Sequence, residues 1–251
     1  PWKAWLKRGI LLGGLAAIYH FGYARTAATA ALGFFSATTV IMGSSKGVSS
    51  WAASKFIPVV MKGIDIKFGK IRTILLKDFS GRVLDVGAGS LIYLKYVARS
   101  EAVTEYIALE PNTKLHSTMQ AEIKKVAPAF PVKLTPEYLE RQEGTFDCVI
   151  LGNVLCEIPD YRAAIKEVDR LLKPGGRVYF SEHILKESGP GRAFQHFIAP
   201  WWRIVSDGCN CNRPSVQAIK ELTSWDVQDW SFGGLGPIIG VMAIGIATKK
   251  K

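Results

Sequence analysis

The sequence predicts an α/β fold, a mostly parallel sheet flanked by helices, beginning near Gly81. Three observations predict it: an apolar run that ends in a glycine loop, a second run that ends in an acid, and a later amphipathic helix stopped by Lys-Pro-Gly-Gly ahead of another apolar run. Strands buried on both faces read as short apolar runs, and alternation with helical periodicity points to a parallel sheet.

Arg82-Val83-Leu84-Asp85-Val86 is the first such strand. It ends in Gly87-Ala88-Gly89-Ser90, and a helical pattern follows through Leu94 and Val97. Glycines belong where the backbone turns tightly and where a ligand must approach closely. Tyr106-Ile107-Ala108-Leu109 is the second strand, and Glu110 closes it, 25 residues after Asp85. An acid at that point can accept two hydrogen bonds from ribose hydroxyls. Phe146 to Leu151 reads as a further strand after the turn at Glu143-Gly144. Tyr161 to Leu172 reads as a helix with Ala164, Ile165, Val168, Leu171 and Leu172 on one face. Lys173-Pro174-Gly175-Gly176 stops it, and Arg177-Val178-Tyr179-Phe180 starts the next strand. The run from Gly233 to Ala247 contains Pro237 and five glycines, which favours closing strands over a membrane span.

Charge divides the chain. Of the net +11, residues 1–80 hold +9 and residues 81–251 only +2. A nucleic-acid enzyme would gather its basic surface around the domain itself, so no nucleic-acid partner is expected. The mean hydropathy of +0.14 is high for a soluble enzyme. Two uncharged stretches, Gly9 to Ala24 and Thr26 to Ser45, are separated only by Arg25. The second would reach about 30 Å as a helix, the thickness of a hydrocarbon core. Lys3, Lys7 and Arg8 precede the pair, Lys46, Lys55 and Lys62 follow, and Trp2, Trp5 and Trp51 suit headgroup depth. Residues 1–50 are therefore expected to form a membrane anchor that meets lipid through residues 9–45. The competing reading is a pair of buried helices packed on the domain. Residues 51–80 are expected to form connecting amphipathic helices, with Ile64, Phe68, Ile71 and Leu75 at helical spacing, and residues 81–251 the main domain. The chain opens on Pro1, so preceding residues are expected.

The four cysteines are Cys148, Cys156, Cys209 and Cys211. Cys148 sits in an apolar strand pattern as a small buried hydrophobe. Cys209-Asn210-Cys211 lacks a second pair, so no metal site is expected.

Asp85-x-Gly87-x-Gly89, the acid Glu110, and Leu172-Lys173-Pro174-Gly175-Gly176 together resemble the class I S-adenosylmethionine-dependent methyltransferases. The resemblance implies a Rossmann-like seven-stranded fold with S-adenosylmethionine as cofactor. It implies that Asp85 supports the cofactor's methionine end, with Gly87 and Gly89 allowing close backbone approach. Backbone amides near the helix N-terminus would favour the cofactor's carboxylate. Glu110 would take the ribose, Glu137 would meet the adenine amino group, and Asn153 would lie beside the methyl donor. Glu137 also reads as an ordinary solvated acid. The family usually has a third glycine where this chain has Leu91. Leu91 would either crowd the cofactor or pack under the helix.

A narrower resemblance rests on Val154-Leu155-Cys156, on Glu167 through Gly176, on Tyr179-Phe180-Ser181-Glu182-His183, and on Trp202 with Asp207-Gly208-Cys209-Asn210. These stretches look like the small membrane-bound thiol methyltransferases of endoplasmic reticulum and lipid droplets. That resemblance implies methyl transfer to the sulfur of small apolar thiols. Candidates for a base or a substrate-positioning group are His183, expected just after the fifth strand, Asp207 and Glu182; His183 also reads as a structural edge histidine, and Asp207-Gly208 as a turn. Phe194 to Trp202 would form an apolar lid or simply core. The alternative function is a cofactor-poor subunit of a membrane complex, with the mitochondrial membrane as the alternative location.

Overall fold

The computed structural model describes residues 62–206, 208–233 and 241–251. The expected anchor over 9–45, the rest of the chain through residue 61, and Asp207 lie outside the described residues.

Helix α1 is described over 62–76. Its expected face is the buried one: Ile64 and Phe68 are enclosed, and Ile71 and Leu75 pack against the same apolar cluster. One member of that face is a charge. Arg72 is fully buried, with its guanidinium 2.9 Å from Asp65 and 4.8 Å from the centre of the Tyr93 ring. A charge can be buried at tolerable cost only when it is paired in this way.

The domain proper runs β1 (Gly81–Val86), α2 (Leu94–Val97), β2 (Val103–Leu109), α3 (His116–Val126), β3 (Val132–Thr135), β4 (Phe146–Gly152), α4 (Tyr161–Leu171), β5 (Leu172–Ile184), α5 (Pro190–Val205), α6 (Ser215–Leu222), β6 (Asp226–Gly233) and β7 (Val241–Thr248). The seven strands form one sheet in the order β3-β2-β1-β4-β5-β7-β6. β1 to β5 are parallel, while β7 runs antiparallel to both β5 and β6. One apolar cluster, containing Leu84, Val149, Ile165, Val168 and Phe180, lies on one face of the sheet, and a second, containing Phe68, Val83, Tyr106, Ile150 and Tyr179, on the other. The strand order reverses between β1 and β4. Open α/β sheets bind ligands at that point, outside the carboxyl ends of their strands.

Three local expectations need correction. The helix after the first glycine loop is only Leu94–Val97, because Gly87, Gly89 and Leu91 all take positive φ, where a right-handed helix cannot run. The Lys-Pro-Gly-Gly turn does end α4, but β5 already begins at Leu172. It pairs Leu172 with Phe146 and then loops out until Arg177 meets Cys148. His183 is inside β5 rather than beyond it, because antiparallel pairing with Met242 of β7 extends the strand to Ile184.

Leu91 settles on the second of its two expected outcomes. Its φ is +56°, and its side chain is fully buried in the cluster with Leu94, Val97 and Tyr106. It packs into the core rather than facing the loop's open side. Burial of a leucine outweighs the left-handed backbone, which costs roughly 1–2 kcal/mol in an L residue. Leu91→Gly relieves that strain but leaves a cavity, so urea unfolding should show a net loss of about 2 kcal/mol. Unchanged or higher stability would mean that the side chain contributes nothing to the core.

Candidate active site

The carboxyl ends of β1, β2, β3, β4 and β5 form one edge, and most of the expected site residues gather along it. Asp85 sits in β1 beside Ala108 of β2. Glu110 follows β2, and its N–H bonds the carbonyl of Thr135 at the end of β3, 3.0 Å away. Asn153 follows β4 with φ +58°, and its N–H bonds the Ser181 carbonyl of β5 at 2.8 Å.

Glu110 shapes the glycine loop. One carboxylate oxygen accepts the Gly89 N–H at 2.9 Å and the other accepts the Asn112 N–H at 2.8 Å. Each oxygen keeps a further lone-pair direction for a ligand. The Gly89 amide is thus already engaged in a carboxylate-braced turn. Gly87 and Gly89 serve different ends. A Cβ at Gly87 would lie 2.5 Å from Val154 Cγ2, whereas one at Gly89 would meet nothing closer than the Gly87 carbonyl at 3.9 Å. Gly87 permits close packing, and Gly89 opens onto free space.

Asp85 is 1% exposed, and among the described residues the hydrogen bond to its carboxylate comes from the Tyr106 hydroxyl. Burial pushes its carboxyl up to about 7, against the pull of Tyr106 and with a push from the Glu110 charge. A buried acid with no basic partner among the described residues is matched by a ligand that carries positive charge. The ammonium of the methionine end of S-adenosylmethionine suits Asp85, its ribose hydroxyls suit Glu110, and the open side of Gly89 leaves the backbone approachable.

Glu137 stands apart from this set. Its side chain is 45% exposed and lies 3.4 Å from Arg141, and its N–H bonds the Thr135 hydroxyl. Glu182 is fully buried and does a second bracing job: one oxygen accepts the N–H groups of Val154 and Leu155 at 2.9 and 3.1 Å. Burial lifts its carboxyl to about 8 despite those two donors.

His183 faces sulfur. Its Nδ1 is 3.5 Å from Cys209 Sγ, and Cys156, His183 and Cys209, all buried, place ligand atoms within 4.8 Å of one another. Hydrogen bonding from Cys156, and then the His183 charge, hold the Cys209 thiol well below its ordinary range against the effect of burial. Burial works against charge on His183, but the Cys209 thiolate outweighs it and raises the imidazole. Cys211 stays outside this trio. The loop is fastened by the Asn210 N–H and Nδ2, which donate to the Cys156 carbonyl at 2.8 and 3.1 Å. Helix α5 is held by the buried Gln195, whose amide bonds the Ile184 carbonyl, the Lys186 N–H and the Cys211 carbonyl. Its Phe194 and Phe197 remain 39% and 68% exposed, while Ile198 and Trp202 are buried.

Sequence reasoning missed Arg72, Tyr93 and Tyr106, whose aromatic and charged types carried no motif. It also missed the trio, because its members come from three separate segments.

Asp85 predicts a pH signature. Between about pH 4 and pH 7 the folded chain holds a proton there that the unfolded chain has lost, so stability falls as pH rises through that window. Asp85→Asn keeps an acceptor for Tyr106 and removes the cost of a buried charge. Urea unfolding of the ligand-free protein should show the variant equal to wild type at pH 4 and more stable by about 2–4 kcal/mol at pH 8. Parallel stability curves would show that Asp85 titrates normally.

A family model described as a methyltransferase domain matches residues 67–224. The human thiol S-methyltransferase TMT1A is 27% identical over 194 residues, 69% of this chain and 77% of that protein. A ubiquinone biosynthesis O-methyltransferase of Xanthomonas oryzae is 33% identical over 105 residues, 41% of this chain and 44% of that one. Among solved structures, the YcgJ protein of Bacillus subtilis superposes with a TM-score of 0.58 at 16% identity, over 73% of this chain and 98% of that one, a likeness of fold. With the strand order, the glycine loop and its two acids already in place, the chain belongs to the methyltransferase domain family and is a class I S-adenosylmethionine-dependent methyltransferase.

Proposed function

We propose that this protein transfers a methyl group to the sulfur of a small apolar thiol. S-adenosylmethionine supplies an electrophilic methyl group on a sulfonium centre. The chain's own residues bind, orient and exclude water. Asp85 supports the cofactor's cationic end, Glu110 takes the ribose hydroxyls, and Gly89 lets the backbone come close. Glu137, at the exit of β3, is proposed for the adenine edge. Asn153, in the left-handed turn at the β4 exit, is proposed to lie beside the methyl donor.

The observation that carries the sulfur acceptor is the likeness to a thiol S-methyltransferase along 69% of the chain. Helix α5 supports an apolar acceptor, since Phe194 and Phe197 offer greasy rather than charged surface. A thiol has a pKa near 8.5, so only a minority is thiolate at neutral pH. Alignment and thiolate supply therefore govern the rate. His183 and Asp207 stay the candidates for positioning the acceptor or taking its proton. The likeness to an O-methyltransferase over 105 residues favours a phenolic hydroxyl as the second reading.

Residues 9–45 are proposed to hold the protein in a membrane, of endoplasmic reticulum, lipid droplet or mitochondrion. The support is their uncharged length and basic flanks. Among the described residues no helix is long and apolar enough to cross a bilayer.

One experiment tests both parts. Membranes carrying the full chain are washed with carbonate at high pH, then given labelled cofactor and a panel of alkyl thiols, phenols and amines. Label should stay with the washed membrane fraction and appear first on sulfur, with a rate that climbs with pH toward the thiol's own pKa. Label on phenols alone would replace the thiol reading by the oxygen one, and loss of the protein to the wash would overturn embedding.

A further inference from the structure

We propose that Cys156, His183 and Cys209 bind a zinc ion through two sulfurs and one imidazole nitrogen, leaving the fourth position for the acceptor thiol. The proposal rests on the thiol reading for its fourth ligand and on the geometry alone for the other three.

Three facts carry it. The ligand atoms of the trio lie within 4.8 Å of one another, and all three residues are buried. The Cys209 Sγ to His183 Nδ1 separation is 3.5 Å. A tetrahedral zinc with Zn–N of about 2.0 Å and Zn–S of about 2.3 Å sets nitrogen and sulfur about 3.6 Å apart, so His183 and Cys209 already stand at the edge length the ion requires. Soft thiolates with an imidazole are the donor set that selects zinc among abundant divalent ions.

The surrounding backbone is built to hold those positions. His183 is fixed by the β5–β7 ladder through its pairing with Met242. Cys156 is fixed because the Glu182 carboxylate grips Val154 and Leu155 just before it. Asn210 then ties the Cys209 loop to the Cys156 carbonyl with two hydrogen bonds. The trio also adjoins the cofactor edge, since Val154 packs directly on Gly87.

Among the described residues no fourth side chain completes the tetrahedron. Three protein ligands and an open position are the pattern of a zinc ion that meets substrate. A thiol entering that position loses its proton to water, because a coordinating thiol is deprotonated outright. Its lone pair then forms the new carbon–sulfur bond to the methyl group. The sulfonium carbon–sulfur bond breaks, and its electron pair stays on the sulfur of the departing S-adenosylhomocysteine. The product is a neutral thioether, a poor zinc ligand, and it leaves. This arrangement would supply thiolate without a protein base.

The test uses the full chain, first for metal content and then with the metal exchanged for cobalt(II). The expected result is about one zinc per chain and, with cobalt, sulfur-to-metal charge-transfer absorption. Adding a small alkyl thiol should raise that absorption about 1.5-fold, as two thiolates become three. Cys209→Ser and Cys156→Ser should each lower metal content at least tenfold; the wild-type cobalt spectrum stands independently if either variant fails to fold. Wild type that holds no zinc and shows no charge-transfer band overturns the proposal and leaves a thiolate–imidazolium pair. A band indifferent to thiol overturns the open position. Metal-free protein that methylates thiols at the full rate overturns the proposal while the thiol reading stands. A thiol-responsive cobalt site in a chain that methylates no thiol upholds the metal site and sinks the thiol reading.

Discussion

The cofactor edge depends on one carboxylate. Glu110 holds the Gly89 N–H with one oxygen and the Asn112 N–H with the other, and its own N–H is bonded to Thr135 of β3. Charge-assisted bonds of this kind are about twice as strong as neutral ones. They are needed here because the β1 exit is a run of left-handed residues that local propensity does not favour. The brace lets a non-helical turn stand where a long helix would otherwise begin, and so keeps Gly89 facing open space.

A parallel device operates one strand pair further along. Glu182, in the middle of the sheet's polar end, grips the two amides after the β4 exit as Glu110 grips those after β1 and β2. Both acids are buried and both accept backbone donors, Glu110 with its two oxygens and Glu182 with one. The difference lies in what each leaves over. Around Glu110 the remaining surface suits a hydroxylated, cationic ligand together with Asp85; around Glu182 it positions Cys156 beside His183 and Cys209. Besides Ala127, which caps the end of α3, the described non-glycine residues with positive φ are Leu91 and Asn153, one at each of these exits, where over-determined packing holds them in place.

Much of this was legible in the chain. Asp85, Gly87, Gly89 and Glu110 announced the first loop, and the 3.6-residue period of Tyr161 to Leu171 announced its helix. The α1 face was readable from Ile64 and Phe68 for the same reason. Other features depend on partners distant in sequence. Arg72 is an ordinary surface residue by type, and partners from elsewhere in the fold, Asp65 and Tyr93 among them, make its burial tolerable. Leu91 looked like a defect in a glycine motif, yet the core takes its side chain and the backbone yields. Antiparallel pairing with β7 lengthened β5 past His183, which no local signal in β5 reveals. Glu182 invited a role as a base or positioning group, and no local signal showed that one of its oxygens would also brace the Val154 and Leu155 amides. The sulfur–imidazole trio is assembled from three segments and has no spacing to read.

Glu110 braces the loop and is the group proposed to hold the ribose. The most direct test of that double role is calorimetric titration of the full chain with S-adenosylmethionine, comparing wild type with Glu110→Ala. Wild type should bind with measurable heat, and the variant should lose about 1–3 kcal/mol, since two amides and the ribose hydroxyls lose a charged acceptor together. Equal affinity in the folded variant, or no heat from folded wild type, would contradict it.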